Sequence, residues 1–129
     1  MTGEGASPTT ALARVTAIRL GRYRRPFDET RETDWIASAV KLDRINVLVS
    51  GGGGLPVLEP LYQSIAEELN ARSGRRIEHQ TYKPQCGEFH SASALGFSLA
   101  VNLARERQCG VLLYTLSARG GKALCLIEP

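Results

Sequence analysis

The spacing of apolar and polar positions changes several times along the chain, and each change marks an element. Ala13 to Leu20 alternates, with Val15, Ala17 and Arg19 on one face and Thr16, Ile18 and Leu20 on the other, which is the pattern of a strand. An arginine-rich connection, Gly21 to Phe27, is broken by Pro26. Thr33 suits the N-cap of a helix over Asp34 to Leu42, with Trp35, Ala39 and Leu42 on its buried side and Asp34 at its positive end. Ile45 to Val49 is apolar on both faces, as a central strand covered on both sides requires. Four glycines follow, Gly51 to Gly54. A helix from Val57 to Arg72 then carries Leu58, Leu61, Ile65 and Leu69 in one stripe and Glu67, Glu68 and Arg72 on its wet side. Gly74 ends it.

Arg76 to Tyr82 is a more polar strand, suited to a sheet edge. Pro84 and Gly87 interrupt the chain. Ser91 to Arg105 is apolar nearly all round, which predicts a buried helix. Val111 to Leu116 and Ala123 to Ile127 are strands joined as a hairpin by the turn Arg119-Gly120-Gly121. The order is β-α-β-α-β-α-β-β, an α/β chain. Alternating strands and helices imply a mostly parallel sheet covered on both faces, with the last strand antiparallel. One domain over 13–129 follows a small, polar, flexible segment over 1–12. No internal repeat is visible.

Composition adds little to this. The chain has 129 residues, 43% hydrophobic and 22% charged, as an ordinary soluble globular protein does. At this length it can bury roughly two thirds of its unfolded surface without disulfide or metal staples. The net charge of +3 is mildly basic. Nucleic-acid binders cluster charge with aromatics on one face. Here only Arg19, Arg22, Arg24 and Arg25 cluster, beside Tyr23, so a solvated face or an acidic protein partner fits better than nucleic acid. Cys86, Cys109 and Cys125 are odd in number and fit no zinc spacing, which reads as reduced thiols in the cytoplasm. Nothing in the chain reads as a signal peptide or a membrane span.

Three stretches carry candidate chemistry. Gly51 to Gly54 could bring backbone N–H groups to an anion, but no Lys-Ser or Lys-Thr follows, so a tight strand-to-helix turn explains the run as well. Tyr82 to His90 is the densest functional stretch. It opens the buried helix, where Cys86 could act as a nucleophile with His90 as its base and Glu88 beside them. The bland alternative makes Cys86 a small core residue, Glu88 a first-turn acid and Ser91 a cap. His79 lies on the polar strand and is expected to be exposed. With His90 so distant and no H-E-x-x-H pattern, no metal site is expected. No G-x-S-x-G elbow occurs.

The element order together with three of these segments resembles the C-terminal half of the β-ketoacyl synthase and thiolase superfamily. The resemblance runs from about residue 13 to 129. Val49-Ser50-Gly51-Gly52-Gly53-Gly54-Leu55-Pro56 stands where ketosynthases carry a His-Gly-Thr-Gly-Thr type loop, with Glu59 at an acidic position of the next helix. Lys83, Gly87, Ala92 and Ala94 match the segment where a lysine stands four residues before a Gly-His pair. Leu116-Ser117-Ala118-Arg119-Gly120-Gly121 resembles the Gly-Phe-Gly-Gly hairpin near the family's C-terminus. The resemblance implies a half-fold with a five-stranded sheet, an antiparallel last strand and a buried helix.

The departures bear on function. In the resembling enzymes two histidines of this half stabilise an enolate or oxyanion. Here Ser50 or Gly51 replaces the first and Glu88 the second, and a carboxylate would repel the developing charge. The nucleophilic cysteine belongs to the other half. The resemblance therefore implies a degenerate, chain-length-factor-like partner of a ketosynthase, in fatty-acid-like or polyketide synthesis. Ser50, Gly51, Gly52 and Lys83 are its substrate-side candidates. Arg22, Arg24 and Arg25 would meet an acidic acyl carrier protein. Cys86, Glu88 and His90 are the catalytic candidates of a rival reading, a split ketosynthase or acyltransferase active only with its other half. A third reading is a small-ligand or nucleotide module built on Gly51 to Gly54. No cofactor and no metal is called for. A solitary half should expose an apolar face, expected on the helix Ser91 to Arg105, so the partner is a ketosynthase chain or a second copy.

Overall fold

The computed structural model describes residues 13–24, 26–51, 58–82, 90–117 and 120–129, with the backbone alone for 90–95. Five strands and three helices follow in the order β1 (Arg14–Arg22), α1 (Glu29–Ala39), β2 (Val47–Ser50), α2 (Glu59–Ser73), β3 (Glu78–Thr81), α3 (His90–Arg107), β4 (Val111–Leu116) and β5 (Gly121–Glu128), with a 3-10 turn over Leu42–Arg44. This is the predicted α/β order. The sheet order is β1-β5-β4-β2-β3. β2 runs parallel to β3 and β4, and β5 runs antiparallel to both β4 and β1. Only the last strand is reversed, as expected, and β3 is an edge.

The first helix starts at Glu29, not Asp34. Asp28 is the cap, its Oδ1 accepting from the N–H groups of Thr30 at 3.0 Å and Arg31 at 3.2 Å. Thr33 is fully buried inside the helix and donates its hydroxyl to the Glu29 carbonyl at 2.7 Å. Aspartate is the stronger cap, and Thr33 is taken up one turn inside the helix. α2 starts at Glu59 with a proline in its first turn and ends at Gly74, whose φ of 68° is left-handed.

Strand alternation sorts the core into two layers. Leu112, Tyr114 and Leu116 of β4 face α1 and α2, with Ile36, Leu48, Tyr62, Ile65 and Leu69. Val111 and Leu113 face the other way, with Val47, Val49, Cys125 and Ile127 against Ala100, Leu103 and Ala104 of α3. Among the described residues, two helices therefore cover one face and α3 alone covers the other.

β1 departs from simple alternation. Its register with β5 shifts between Val15 and Ala17. The extra residue turns Val15 onto the same face as Ile18 and Leu20. That face is the one α3 leaves partly bare: Ile18 is 71% exposed, Leu20 76%, Val15 44% and Phe97 40%. The open apolar face thus belongs mainly to β1, with Phe97 as the contribution of α3. The sequence pointed to the helix because its apolar residues encircle it, but Ala100, Leu103 and Ala104 are spent against the sheet.

Candidate functional site

In parallel sheets, ligands meet the carboxyl ends of the strands. Here Ser50, the last residue of β2, meets His79, the second residue of β3, and Gln63 of α2. Ser50 Oγ lies 2.7 Å from His79 Nε2, and His79 Nδ1 lies 3.2 Å from Gln63 Oε1. An amide oxygen only accepts, so Nδ1 carries the ring proton and Nε2 accepts from the serine hydroxyl. Burial holds the His79 pKa below its ordinary 6.5, which favours this neutral form. A serine donating to a histidine that is oriented by a third group is the arrangement of an activated nucleophile. Ser50, however, is completely enclosed.

The sequence placed His79 in solvent because β3 is polar. The structure half-buries it, since α2 lies across this side of β3. His79 and Gln63 line a polar groove between the two elements. Glu59, Tyr62 and Thr81 border a space of about 290 Å³ at one end, and Asn70, Arg76 and Glu78 a space of about 680 Å³ at the other. A polar strand signals an edge. It does not reveal which of its residues a neighbouring helix covers.

Gly51 has a packing role. A Cβ there would stand 2.9 Å from the Tyr82 hydroxyl and 3.6 Å from that of Tyr62, and a Cβ at Gly96 would overlap the Tyr82 ring. Two glycines therefore make room for Tyr82 between the end of β2 and α3. Tyr62 in turn accepts from the Leu116 N–H at 2.7 Å and lies 3.2 Å from its carbonyl.

A second polar cluster was not visible in the sequence. Glu32 of α1 and Lys122 of β5 form a buried ion pair at 2.9 Å. The Tyr114 hydroxyl donates to the same Glu32 oxygen at 3.1 Å, and Lys122 Nζ sits 4.1 Å from the centroid of the Trp35 ring. Burial first, and then Glu32, pushes the Tyr114 pKa far above its ordinary value. The pair is 90 residues apart in sequence, and no local pattern announces it.

Of the remaining sequence candidates, Arg22 ends β1 and Arg24 follows it, both exposed. His90 opens α3. Gly52, Lys83, Cys86, Glu88 and Arg25, together with the 1–12 segment, lie outside the described residues. Cys125 lies in the floor of the apolar face. Burial raises the pKa of the Cys109 and Cys125 thiols, so neither is an activated thiolate. Among the described residues no helix is long and apolar enough to cross a membrane.

No family model and no curated protein sequence matches the chain. Solved structures do. PksG, an HMG-CoA synthase from Bacillus subtilis, superimposes with a TM-score of 0.57 over 92% of this chain at 16% identity. The Bacillus anthracis acetyl-CoA acetyltransferase does so with a TM-score of 0.53 over 91% at 15% identity. The fold is thiolase-like. The chain spans 42% and 30% of those two proteins, so it corresponds to a part of each. Ser50 stands at the carboxyl end of β2, its side chain on His79 within the parallel strand β3, and the bare apolar face stands on the α3 side.

Proposed function

We propose that this chain is a non-catalytic subunit of a β-ketoacyl-synthase-type complex, similar to a chain-length factor, acting in fatty-acid-like or polyketide synthesis. The open apolar face of β1 and Phe97 carries the reading. A thiolase-like chain that spans 42% and 30% of its structural neighbours, and leaves Ile18 and Leu20 largely exposed, fits a subunit completed by another chain.

The loss of donors supports the same reading. At the end of β2 the Ser50 hydroxyl is committed to His79 and enclosed, so it offers no donor to a developing oxyanion. Both neighbours are named for coenzyme A chemistry, which supports acyl thioesters as the substrate class of the complex. Arg22 and Arg24 on the surface, with Arg25 between them and Pro26, would meet an acidic acyl carrier protein.

The test is reconstitution with a condensing-enzyme chain and an acyl carrier protein. A stable complex whose products differ in chain length from those of the condensing enzyme alone supports the reading. An unchanged product distribution removes it. The Ser50–His79–Gln63 arrangement favours a second reading, a catalytic half active only with its partner. Full activity of a Ser50→Ala complex would dismiss that alternative.

A further inference from the structure

β1 is an edge strand, and among the described residues no strand lies beyond it. The Tyr23 N–H donates to the Gly120 carbonyl at 2.9 Å, which fixes the phase of the antiparallel ladder with β5. Hydrogen-bonded pairs alternate along such a ladder. Gly21, Arg19 and Ala17 therefore turn their backbone groups toward Lys122, Leu124 and Leu126. Ile18 and Leu20 turn theirs outward, away from β5. The register runs unbroken from Ala17 to Arg22, so no bulge disrupts this part of the edge.

The two faces of the edge carry different side chains. The bulge between Val15 and Ala17 brings Arg14 and Arg19 onto the α1 face, where Arg19 donates to Ser38 of α1. Ile18 and Leu20 stand largely exposed on the α3 face. Arg22 and Arg24 follow, and Ala13 to Arg24 holds no acidic residue. Glu128, opposite Arg14, is paired with Arg44. Charged side chains alone would blunt an edge against pairing. Two large aliphatic side chains beside the outward N–H groups do the opposite, since they give an incoming strand something to cover.

We propose that β1 is a docking edge for an extended acidic segment of another protein, added to the sheet as a further antiparallel strand. Residues directly opposite each other share a face. The segment therefore alternates, with aliphatic residues opposite Ile18 and Leu20 and carboxylates opposite Arg19 and toward Arg14. Main-chain bonds to Ile18 and Leu20 hold it, and the alternation selects it. A second copy of this chain does not fit, because it would set arginines against arginines. Residues 1–12 do not fit either, with Glu4 as their one acid and Pro8 lacking an N–H. The inference uses the edge of β1 and stands apart from the proposed function.

The test is a short fluorescein-labelled peptide of alternating glutamate and valine, titrated with the full chain and read by anisotropy. It is expected to bind saturably, and the same peptide with lysine for glutamate is not. N-methylation of its valines, whose N–H groups would face β1, should abolish binding, whereas N-methylation of its glutamates should not. Leu20→Pro removes an outward N–H without touching a bond to β5, and should abolish binding. If that variant fails to fold, Arg19→Glu should weaken binding roughly tenfold. Absence of saturable binding at the highest soluble concentration overturns the proposal. So does binding that survives valine methylation, which would mean attraction by charge alone. Self-association of the chain that Leu20→Pro abolishes also overturns it, by giving the edge to a second copy. Each of these results leaves the test of product length untouched.

Discussion

Ser50 and His79 occupy diagonal positions on the parallel strands β2 and β3, and their side chains meet at 2.7 Å because Leu48, not Ser50, is the register partner of His79. The contact joins the end of the sheet to its edge strand, and Gln63 extends it to α2. This is a tie between three elements, and it has a pH signature.

Burial lowers the His79 pKa in the folded chain below its ordinary 6.5. Below that value the unfolded chain takes up the proton more readily, so stability must fall as pH drops through 6.5 and level off below the folded pKa. Above 6.5 the contribution is fully present. Proton NMR of the His79 ring should give a midpoint below 6.5, and urea midpoints between neutral and mildly acid pH should flatten in His79→Gln. A midpoint at or above 6.5 would contradict the burial.

The buried Glu32–Lys122 pair should be costly to break and cheap to replace. Glu32→Ala leaves Lys122 charged and enclosed, and removes the acceptor of Tyr114, for a loss of about 3–5 kcal/mol. Replacing both by methionine fills similar volume without stranding a charge, and should cost less than Glu32→Ala alone. Urea denaturation of the wild type, Glu32→Ala and the double variant measures this. A double variant less stable than Glu32→Ala would contradict it.

Two glycines separate a conformational demand from a steric one. Gly74 has a φ of 68° and open space where a Cβ would stand, whereas a Cβ at Gly110 would run into the Arg44 carbonyl. Gly74→Ala should cost about 1 kcal/mol, and Gly110→Ala about 3 kcal/mol, because backbone must move. At about 4 °C per kcal/mol the difference is easily read in a melting curve. Equal losses would mean that the close approach of β4 to the entry of β2 is relaxed in solution.

The layout of strands and helices was legible because periods of two and of three to four are local. Ile45 to Val49, apolar on both faces, read as a doubly covered strand, and the stripe of Leu58, Leu61, Ile65 and Leu69 read as a helix with one buried side. The single reversed strand followed from the short turn before β5. What depended on tertiary neighbours was not legible. The bulge beside Val15 needs the register of β5. The half-burial of His79 needs α2 above it. Glu32 lies outside the helix that the pattern marked, Asp34 to Leu42, and its pairing with Lys122 needs α1 seated against β5. The start of α1 failed for a different reason, since Thr33 is a capping type but Asp28, five residues earlier, is the stronger one and takes the free N–H groups of Thr30 and Arg31.

The rate of thioester turnover by the reconstituted complex tests most directly whether this chain supplies catalysis. With Ser50→Ala, Cys86→Ala or His90→Ala in this chain, turnover is predicted to stay within about twofold of the wild-type complex. A loss of ~100-fold or more from any one of them would make that residue part of the chemistry and would contradict a non-catalytic subunit.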